Sequence, residues 1–593
     1  MSTQTSLPYP ETAISRRAKV ASPLTPTGIR AREKSARAVG WAVAVPVGAL
    51  HLWAGRHEMN LDGISYLDMG DAYLRGDWAM AVNAYWSPLY SWLLGLVMAV
   101  FRPSPAWEFP VARLLNFALY LVTLVCFDFF LRRFISLQRR REDAGGGRET
   151  LPAWAWVALG YALFIWTSLS FVSLVTPDMC VAACVYLAAG LLLRVRQSTA
   201  GWLTFGALGV VLGLGYLAKA AMFPLAFVFL LLSLFAAGGL RRAMPRAALA
   251  LVCFLLIAGP FVFTLSHAKG RLTFSDSGRL NYLWLINDVP VRHWQGESAA
   301  ELSPPSHPTR RLLDRPALYE FGMPVGGTYP VWYDPSYWYE GAAPSFNLRG
   351  QMRALGASLT MYHKLFLSYL QWSLLFCWLV LFLSAGFGAR EGLREIAGQW
   401  PLLALALAAL SMYALIVVEP RYVAPFIVLF WLGLFSAVRL PPGRTSLRVL
   451  AGTAVVMTAM LVAVIALATA KQVWKGVRGG AESQEAAAAE GLKQLGLRPG
   501  DKVAAVYPVG AKGILTRMTS TARLARVSVV AEIPPQESAN FWAADAETLS
   551  HVREIFSRTG AKIILTEDLP KNVPVEGWRK VGQTKYHAFF LAP

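Results

Sequence analysis

The sequence predicts a mainly α fold, a polytopic bundle of membrane-crossing helices with a small α/β domain appended at its C-terminal end. Three observations predict it. Of 593 residues, 55% are hydrophobic and only 16% are charged, which is more apolar surface than one soluble core can cover, so lipid must solvate most of it. Apolar runs approaching the ~20 residues that one crossing needs recur from Ala38 to Ala470, with basic residues between them. After Lys471 the pattern changes to short β-rich runs alternating with helix-like ones.

The apolar runs fall near residues 38–55, 110–131, 152–172, 177–193, 202–217, 220–237, 247–266, 364–387, 400–418, 422–438 and 449–470, which makes about 11 spans. Basic residues precede the first run (Arg30, Arg32, Lys34, Arg37) and follow the second (Arg132 to Arg141), fourth (Arg194, Arg196), sixth (Arg241, Arg242, Arg246), eighth (Arg390, Arg394) and tenth (Arg439, Arg444, Arg448). Basic flanks face the cytoplasm. The alternation closes only if Pro88 to Phe101 does not cross, and that stretch is short enough to be interfacial or re-entrant.

The predicted organisation is a basic cytoplasmic tail at 1–37, a membrane domain at 38–470 with outer loops at 56–109 and 267–363, and an extracytoplasmic α/β domain at 471–593. The tail is too long and too basic for an ordinary signal peptide, and no small-residue cleavage site follows the first run, so that run is expected to stay as an anchor. The formal charge of +20 is explained by topology, because the basic residues cluster in connections and not along an aromatic-studded surface. No nucleic-acid partner is expected. Cys126, Cys180, Cys184, Cys253 and Cys377 all sit inside apolar runs, which points to neither a disulfide framework nor a zinc site.

In the C-terminal part, Val503–Tyr507, Arg526–Ala531 and Ala561–Leu565 read as strands, and Glu482–Leu495 and Glu547–Thr559 as helices. No Gly-rich phosphate loop joins a strand to a helix there, so nucleotide chemistry has no support. The second outer loop is rich in Trp and Tyr, as in Tyr329-Pro330-Val331-Trp332-Tyr333 and Tyr337-Trp338-Tyr339. Such rings stack on sugar faces or anchor at headgroup depth, and the sequence leaves both readings open.

The residues able to carry chemistry lie on the outer side. The first loop holds Asp62, Tyr66, Asp68, Asp71, Tyr73 and Asp77, carboxylates that could take a proton from an acceptor hydroxyl or hold a divalent cation, unless they form only a solvated acidic loop. If helical, the stretch puts Asp62, Tyr66 and Tyr73 on one face and leaves Asp68 and Asp71 as a separate pair. Asp178, in Thr176-Pro177-Asp178, stands where one helix turns into the next, a place that capping alone would also explain. Lys219 interrupts an otherwise almost uncharged stretch, and Arg421 interrupts another; snorkelling cations are the plain alternative for both. The basic segments used to set the topology do not include these residues, so their shared side supports one site. Acids beside cations at membrane depth suit a phosphate leaving group facing a general base.

Several pieces in order resemble the GT-C membrane glycosyltransferases, specifically the glycosyltransferase 39 group with its protein O-mannosyltransferases and lipid A aminoarabinose transferase. They are Asp62-Gly63-Ile-Ser-Tyr66, Trp86-Ser87-Pro88-Leu89-Tyr90, Val111-Ala112-Arg113-Leu114, Thr176-Pro177-Asp178, Gly213 to Lys219, and Pro420-Arg421-Tyr422-Val-Ala-Pro425. The resemblance spans roughly Ala38 to Val438. It implies a GT-C-like bundle in a bacterial inner membrane, and an inverting transfer of a hexose or pentose from a polyprenyl-phosphate donor to an extracytoplasmic protein, lipid or glycan. It implies Asp62 as catalytic base, Lys219, Arg421 and Tyr422 near the donor phosphate with Tyr66 and Asp178 in or beside the site, and Arg113 at the cavity wall. Two departures stand out: the family often has Asp-Glu where this chain has Asp62-Gly63, and a Lys where it has Trp86. Asp68 is the candidate to replace the missing acid; no cofactor is specified, and a divalent cation is allowed for. The sugar, the acceptor and the carrier length are not encoded legibly.

Two other classes fit parts of the pattern. A transporter or flippase also places charges in broken helices, at the bilayer midplane, and an inactive GT-C-like scaffold would keep the bundle without a shared cavity.

Overall fold

In a computed structural model, residues 26–144, 147–197, 201–297, 302–367, 370–478, 483–508, 513–570 and 575–592 are described. Residues 1–25 of the expected tail and Glu482 lie outside them. A helix occupies every one of the predicted apolar runs. Five are long and apolar enough to cross a membrane: Arg30–Ala54, Pro105–Asp143, Asp178–Arg196, Leu240–Lys269 and Arg444–Arg478, with a sixth if the pair Ala389–Ala397 and Trp400–Ala414, bent by 77°, is one span. This is the signature of a multi-pass membrane protein. Ala153–Ser168, Trp202–Ala218, Met222–Ala236, Trp372–Ser384 and Pro420–Phe435 are apolar but shorter. At 1.5 Å rise per residue, helices of this length reach less than the ~30 Å hydrocarbon core. Length therefore supports fewer crossings than the eleven that the charge pattern suggests.

Two expected connections are helical. The first helix begins at Pro26 and takes in residues assigned to the tail, and the second long helix runs through Ala144, so the basic cluster at 132–141 rides on helix. Arginine is a good helix former, and Arg132 and Arg139 pair there with Asp128 and Glu33.

The helix Leu61–Arg75 positions the first acid. It crosses Pro88–Phe101 at Gly70 and Gly95, where a Cβ on Gly70 would meet the backbone of Ser91 and Gly95 at 2.9 and 3.0 Å. The two short helices are therefore locked face to face by missing side chains.

A seven-stranded sheet closes the C-terminal part, with β1 (Arg310–Asp314), β2 (Ala317–Glu320), β3 (Lys502–Val506), β4 (Ser528–Ile533), β5 (Ala561–Glu567), β6 (Trp578–Lys580) and β7 (Tyr586–Phe590) in the order β1-β2-β4-β3-β5-β7-β6. β3 is central and parallel to both β4 and β5; the remaining pairs are antiparallel. The β1–β2 hairpin belongs to the second outer loop. The sheet thus joins a loop and a C-terminal segment that the sequence reading kept apart. Its alternate residues, such as Ala504, Val506, Val530 and Ile564, are buried against Phe541, Val552 and Phe556, as expected of strands covered by helices.

Candidate active site

Asp62 stands in the first turn of the Leu61–Arg75 helix, where a carboxylate is favoured by the helix dipole. The segment leading to it is fixed at several points. Asn60 brackets Val175, accepting from its N–H at 2.8 Å and donating to its carbonyl at 3.3 Å. Arg113 donates to the carbonyl of Glu58 at 2.5 Å and to that of Ser173. Gly63 is pressed against Val175, and a Cβ here would lie 2.6 Å from Met59 Sδ and 2.8 Å from Val175 Cβ. A second acid after Asp62 would have no room.

Three further elements deliver charge to the same place. Pro177 starts the helix Asp178–Arg196 and puts Asp178 in its first turn. The helix Trp202–Ala218 stops at Lys219, whose backbone is extended before helix resumes at Met222. Pro420 opens the helix Pro420–Phe435, with Arg421 and Tyr422 next. Lys219 Nζ donates to Asp178 Oδ1 at 2.7 Å. Both terminal nitrogens of Arg421 lie 3.2 Å from Asp62 Oδ2, and one is 3.8 Å from Asp178 Oδ2. Tyr422 lies beneath both cations, its ring centre 3.3 Å from Lys219 Nζ, a cation–π geometry. Two acids and two bases thus form one charge-balanced cluster, although Asp178 Oδ2 is buried without a hydrogen-bond partner.

The cluster lines a cavity of about 330 Å³ that also contains Tyr66. Pro224, Phe274, Met412, Ile416 and Val417 supply apolar wall, and Tyr85, Trp86, Arg279 and Asn281 form other parts. Trp332 donates its indole N–H to Asp62 Oδ1 at 3.2 Å and stacks on Trp284, ring centres 6.0 Å apart. Asp62 therefore has both oxygens engaged. Tyr85, Trp332, Arg279 and Asn281 escaped the sequence reading; only the Trp and Tyr density of the second outer loop hinted at Trp332.

Most of that aromatic density serves neither sugar nor membrane. Tyr333 donates to the Met80 carbonyl at 2.5 Å, Trp338 to that of Pro330 at 3.0 Å, and the Tyr329 hydroxyl accepts from Arg292 at 2.9 Å. They are buried ties within the segment 267–363 and, through Met80, to the segment 56–109.

Two expected site residues lie apart from the cavity lining. Asp68 does not reach the cavity. It is buried on the far side of its helix, accepting from the backbone and hydroxyl of Thr328 at 2.7 and 2.9 Å and pairing with Arg523 at 2.6 Å. Helical periodicity turns it away from Asp62, and its partners are Thr328 and Arg523. Arg113 is also absent from the lining, because its guanidinium is spent on two carbonyls. Where the family carries a Lys, Trp86 points its indole N–H at the Trp332 carbonyl, 3.1 Å away.

The carboxylates of the cluster are Asp62 and Asp178, both within 4 Å of Arg421. Arg421 already stands between them. Among the described residues no group of three or more His, Cys, Asp or Glu is placed to hold a metal ion.

Solved structures resemble the chain in outline. ArnT from Cupriavidus metallidurans in the apo state is 13% identical, with 93% of this chain and 98% of that one covered at a TM-score of 0.47. ArnT bound to undecaprenyl phosphate gives 13% identity, 95% and 98% coverage and 0.38. The Archaeoglobus fulgidus oligosaccharyltransferase complex with Zn and sulfate gives 12%, 90% and 68%, and 0.47. No family model and no curated protein matches. At these scores the likeness carries no weight for the site, whose reading stands on the distances above.

Proposed function

We propose that this chain is an inverting glycosyltransferase that moves a sugar from a polyprenyl-phosphate donor to an acceptor on the outer face of a bacterial-type inner membrane. One observation carries the reading: Asp62, Asp178, Lys219 and Arg421, from four separate elements, converge on one cavity whose other wall is apolar. A prenyl chain suits the apolar wall, and a phosphate suits the cations.

In the proposed reaction the acceptor hydroxyl oxygen bonds to the anomeric carbon from the face opposite the phosphate. The bond from that carbon to the phosphate oxygen breaks, and its electron pair leaves with the lipid phosphate. The hydroxyl proton passes to Asp62. Lys219 and Arg421 neutralise the charge that grows on the leaving phosphate, a role in which removing one donor typically costs about 10²–10³ in rate. The rings of Tyr85, Trp86 and Trp332 offer apolar faces to the sugar.

Trp332 donates to Asp62 Oδ1, and Arg421 crowds Oδ2, the oxygen that the proposed reaction uses. When Arg421 turns to the donor phosphate, Oδ2 becomes free to receive the proton. Donor binding therefore precedes acceptor activation. In the reading's topology the N-terminus is cytoplasmic, and the sheet and outer loops lie outside.

The test is transfer of label from radiolabelled polyprenyl-phosphate sugars to an envelope acceptor extract by protein purified in lipid, wild type against Asp62→Asn. A base of this kind is worth about 10²–10⁴ in rate, so transfer should fall by that factor with donor binding kept. Undiminished transfer by the variant would remove Asp62 from the role. Absence of donor binding by the wild type would favour a transporter or a scaffold.

A further inference from the structure

The second acid pair of the first loop, Asp68 and Asp71, belongs to a different construction. Arg523, at the end of the helix Ile514–Ala525, reaches Asp68 at 2.6 Å, Asp71 at 2.7 Å and Glu108 at 2.6 Å, and its side chain is only 4% exposed. Arg526 adds a contact to Glu108 at 2.5 Å. Burial works against the Arg523 charge, yet the carboxylates of Glu108, Asp68 and Asp71 hold its pKa well above the ordinary arginine value. One guanidinium thus fastens the C-terminal part to the two outer elements that flank the site.

From Asp68 two rigid arms lead back to Asp62. The first is the helix itself, under two turns long between the two acids. The second is the segment after Thr328: Thr328 holds Asp68 through both its N–H and its hydroxyl, and Trp332 holds Asp62. The C-terminal part grips this segment too, since Val529 donates to the Thr328 carbonyl at 2.9 Å and Ser528 to that of Gly327 at 3.0 Å. Helix, loop and C-terminal part close a ring in which Asp62 and Arg523 occupy opposite ends.

We propose that Arg523 is a positioning residue for Asp62, making the C-terminal part a component of the active site and not only a separate docking module. The catalytic half of this inference rests on the transferase reading above. The geometric half does not.

The experiment compares wild type with Arg523→Lys, full-length in lipid, by steady-state transfer and by hydrogen exchange. Lysine keeps the charge but cannot bridge three carboxylates in a fixed plane. Displacing a reacting group by a fraction of the ~1 Å that costs 10²-fold predicts a kcat lowered about tenfold with the donor KM within about twofold. Exchange should rise at 61–72 and 326–333 and stay unchanged at 178–196. A kcat within about twofold of wild type, or exchange that rises only within the C-terminal part, overturns the proposal. If Arg523→Lys does not fold, Asp71→Asn takes its place: its side chain is 28% exposed, and it should give the same pattern at lower amplitude, with an unaltered kcat and exchange again overturning the proposal. If wild type transfers no sugar, the transferase reading fails, while the exchange result still decides whether Arg523 orders the Asp62 helix.

Discussion

Removing Lys219 while keeping Asp178 exposes how far the four charges act as one unit. The Asp178 side chain is 2% exposed, and its ion-pair partners among the described residues are Lys219 at 2.7 Å and Arg421 at 3.8 Å. At an effective dielectric constant of ~20, the nearer pair attracts by about 6 kcal/mol before desolvation. Much of that attraction offsets the cost of burying both ions, but the buried carboxylate left behind by Lys219→Met has only the more distant Arg421. Breaking such a pair typically costs about 3–5 kcal/mol; because the Lys219 side chain is 21% exposed and Arg421 remains, the lower end, about 3 kcal/mol, applies here. Asp178→Asn should cost a similar amount by stranding Lys219 against the positive Arg421. In Lys219→Met with Asp178→Asn, neither charge is left uncompensated, so the double variant should be more stable than either single one, which makes the coupling energy at least about 3 kcal/mol. The assay is denaturant unfolding in lipid or detergent, read as a double-mutant cycle. Additive losses would refute the claim that these residues form one electrostatic unit.

Other expectations follow from single contacts. Trp332→Phe keeps the stack on Trp284 but deletes the hydrogen bond to Asp62, worth about 1 kcal/mol, so turnover should drop about fivefold at unchanged donor KM in the labelled-transfer assay. Gly63→Glu, which adds a second acid after Asp62, forces a side chain into the 2.6–2.8 Å space before Met59 and Val175; it should lose about 1–3 kcal/mol of stability by thermal unfolding and gain no activity. Glu532 is wholly buried, and although burial opposes its charge, His293, Arg292 and Tyr507 hold its pKa below the ordinary glutamate value. Its stabilising contribution is therefore complete above roughly pH 4.3, the unfolded value, and fades as pH falls through the depressed one. Melting temperature followed from pH 6 down to ~3 should fall more steeply in wild type than in Glu532→Gln.

The bundle was legible because lipid leaves a coarse mark on sequence: long apolar runs with basic flanks need no tertiary information. The grouping of Asp62, Asp178, Lys219 and Arg421 left a mark for the same reason, since each breaks an apolar run or opens a helix, and the four line one cavity. What escaped was everything fixed by contacts between distant segments. Trp332 lies hundreds of residues from Asp62 in sequence, and nothing local separates it from Trp338, which is merely buried. Helical spacing already set Asp68 and Asp71 apart from the face of Asp62, but nothing local showed that Asp68 is held by Thr328 and Arg523. The β1–β2 hairpin gave no readable signal because Arg310–Asp314 lacks a clean alternation and takes its strand geometry from the neighbouring sheet.

The charge balance of the cluster explains why a site for phosphate should carry two carboxylates. Lys219 and Arg421 without counter-ions would repel each other beside an apolar wall, and burying them so would be costly. Asp178 holds both in place before any phosphate arrives. It is well suited to that part, since Pro177 and the helix behind it fix its position and no water-facing surface competes for it. Asp62 meets Arg421 at a longer 3.2 Å and remains part-exposed, which suits a carboxylate that must let the cation go. On the proposed transferase reading the two acids divide the work by their surroundings: Asp178 keeps the cations assembled, and Asp62 is released by the donor to take the acceptor's proton.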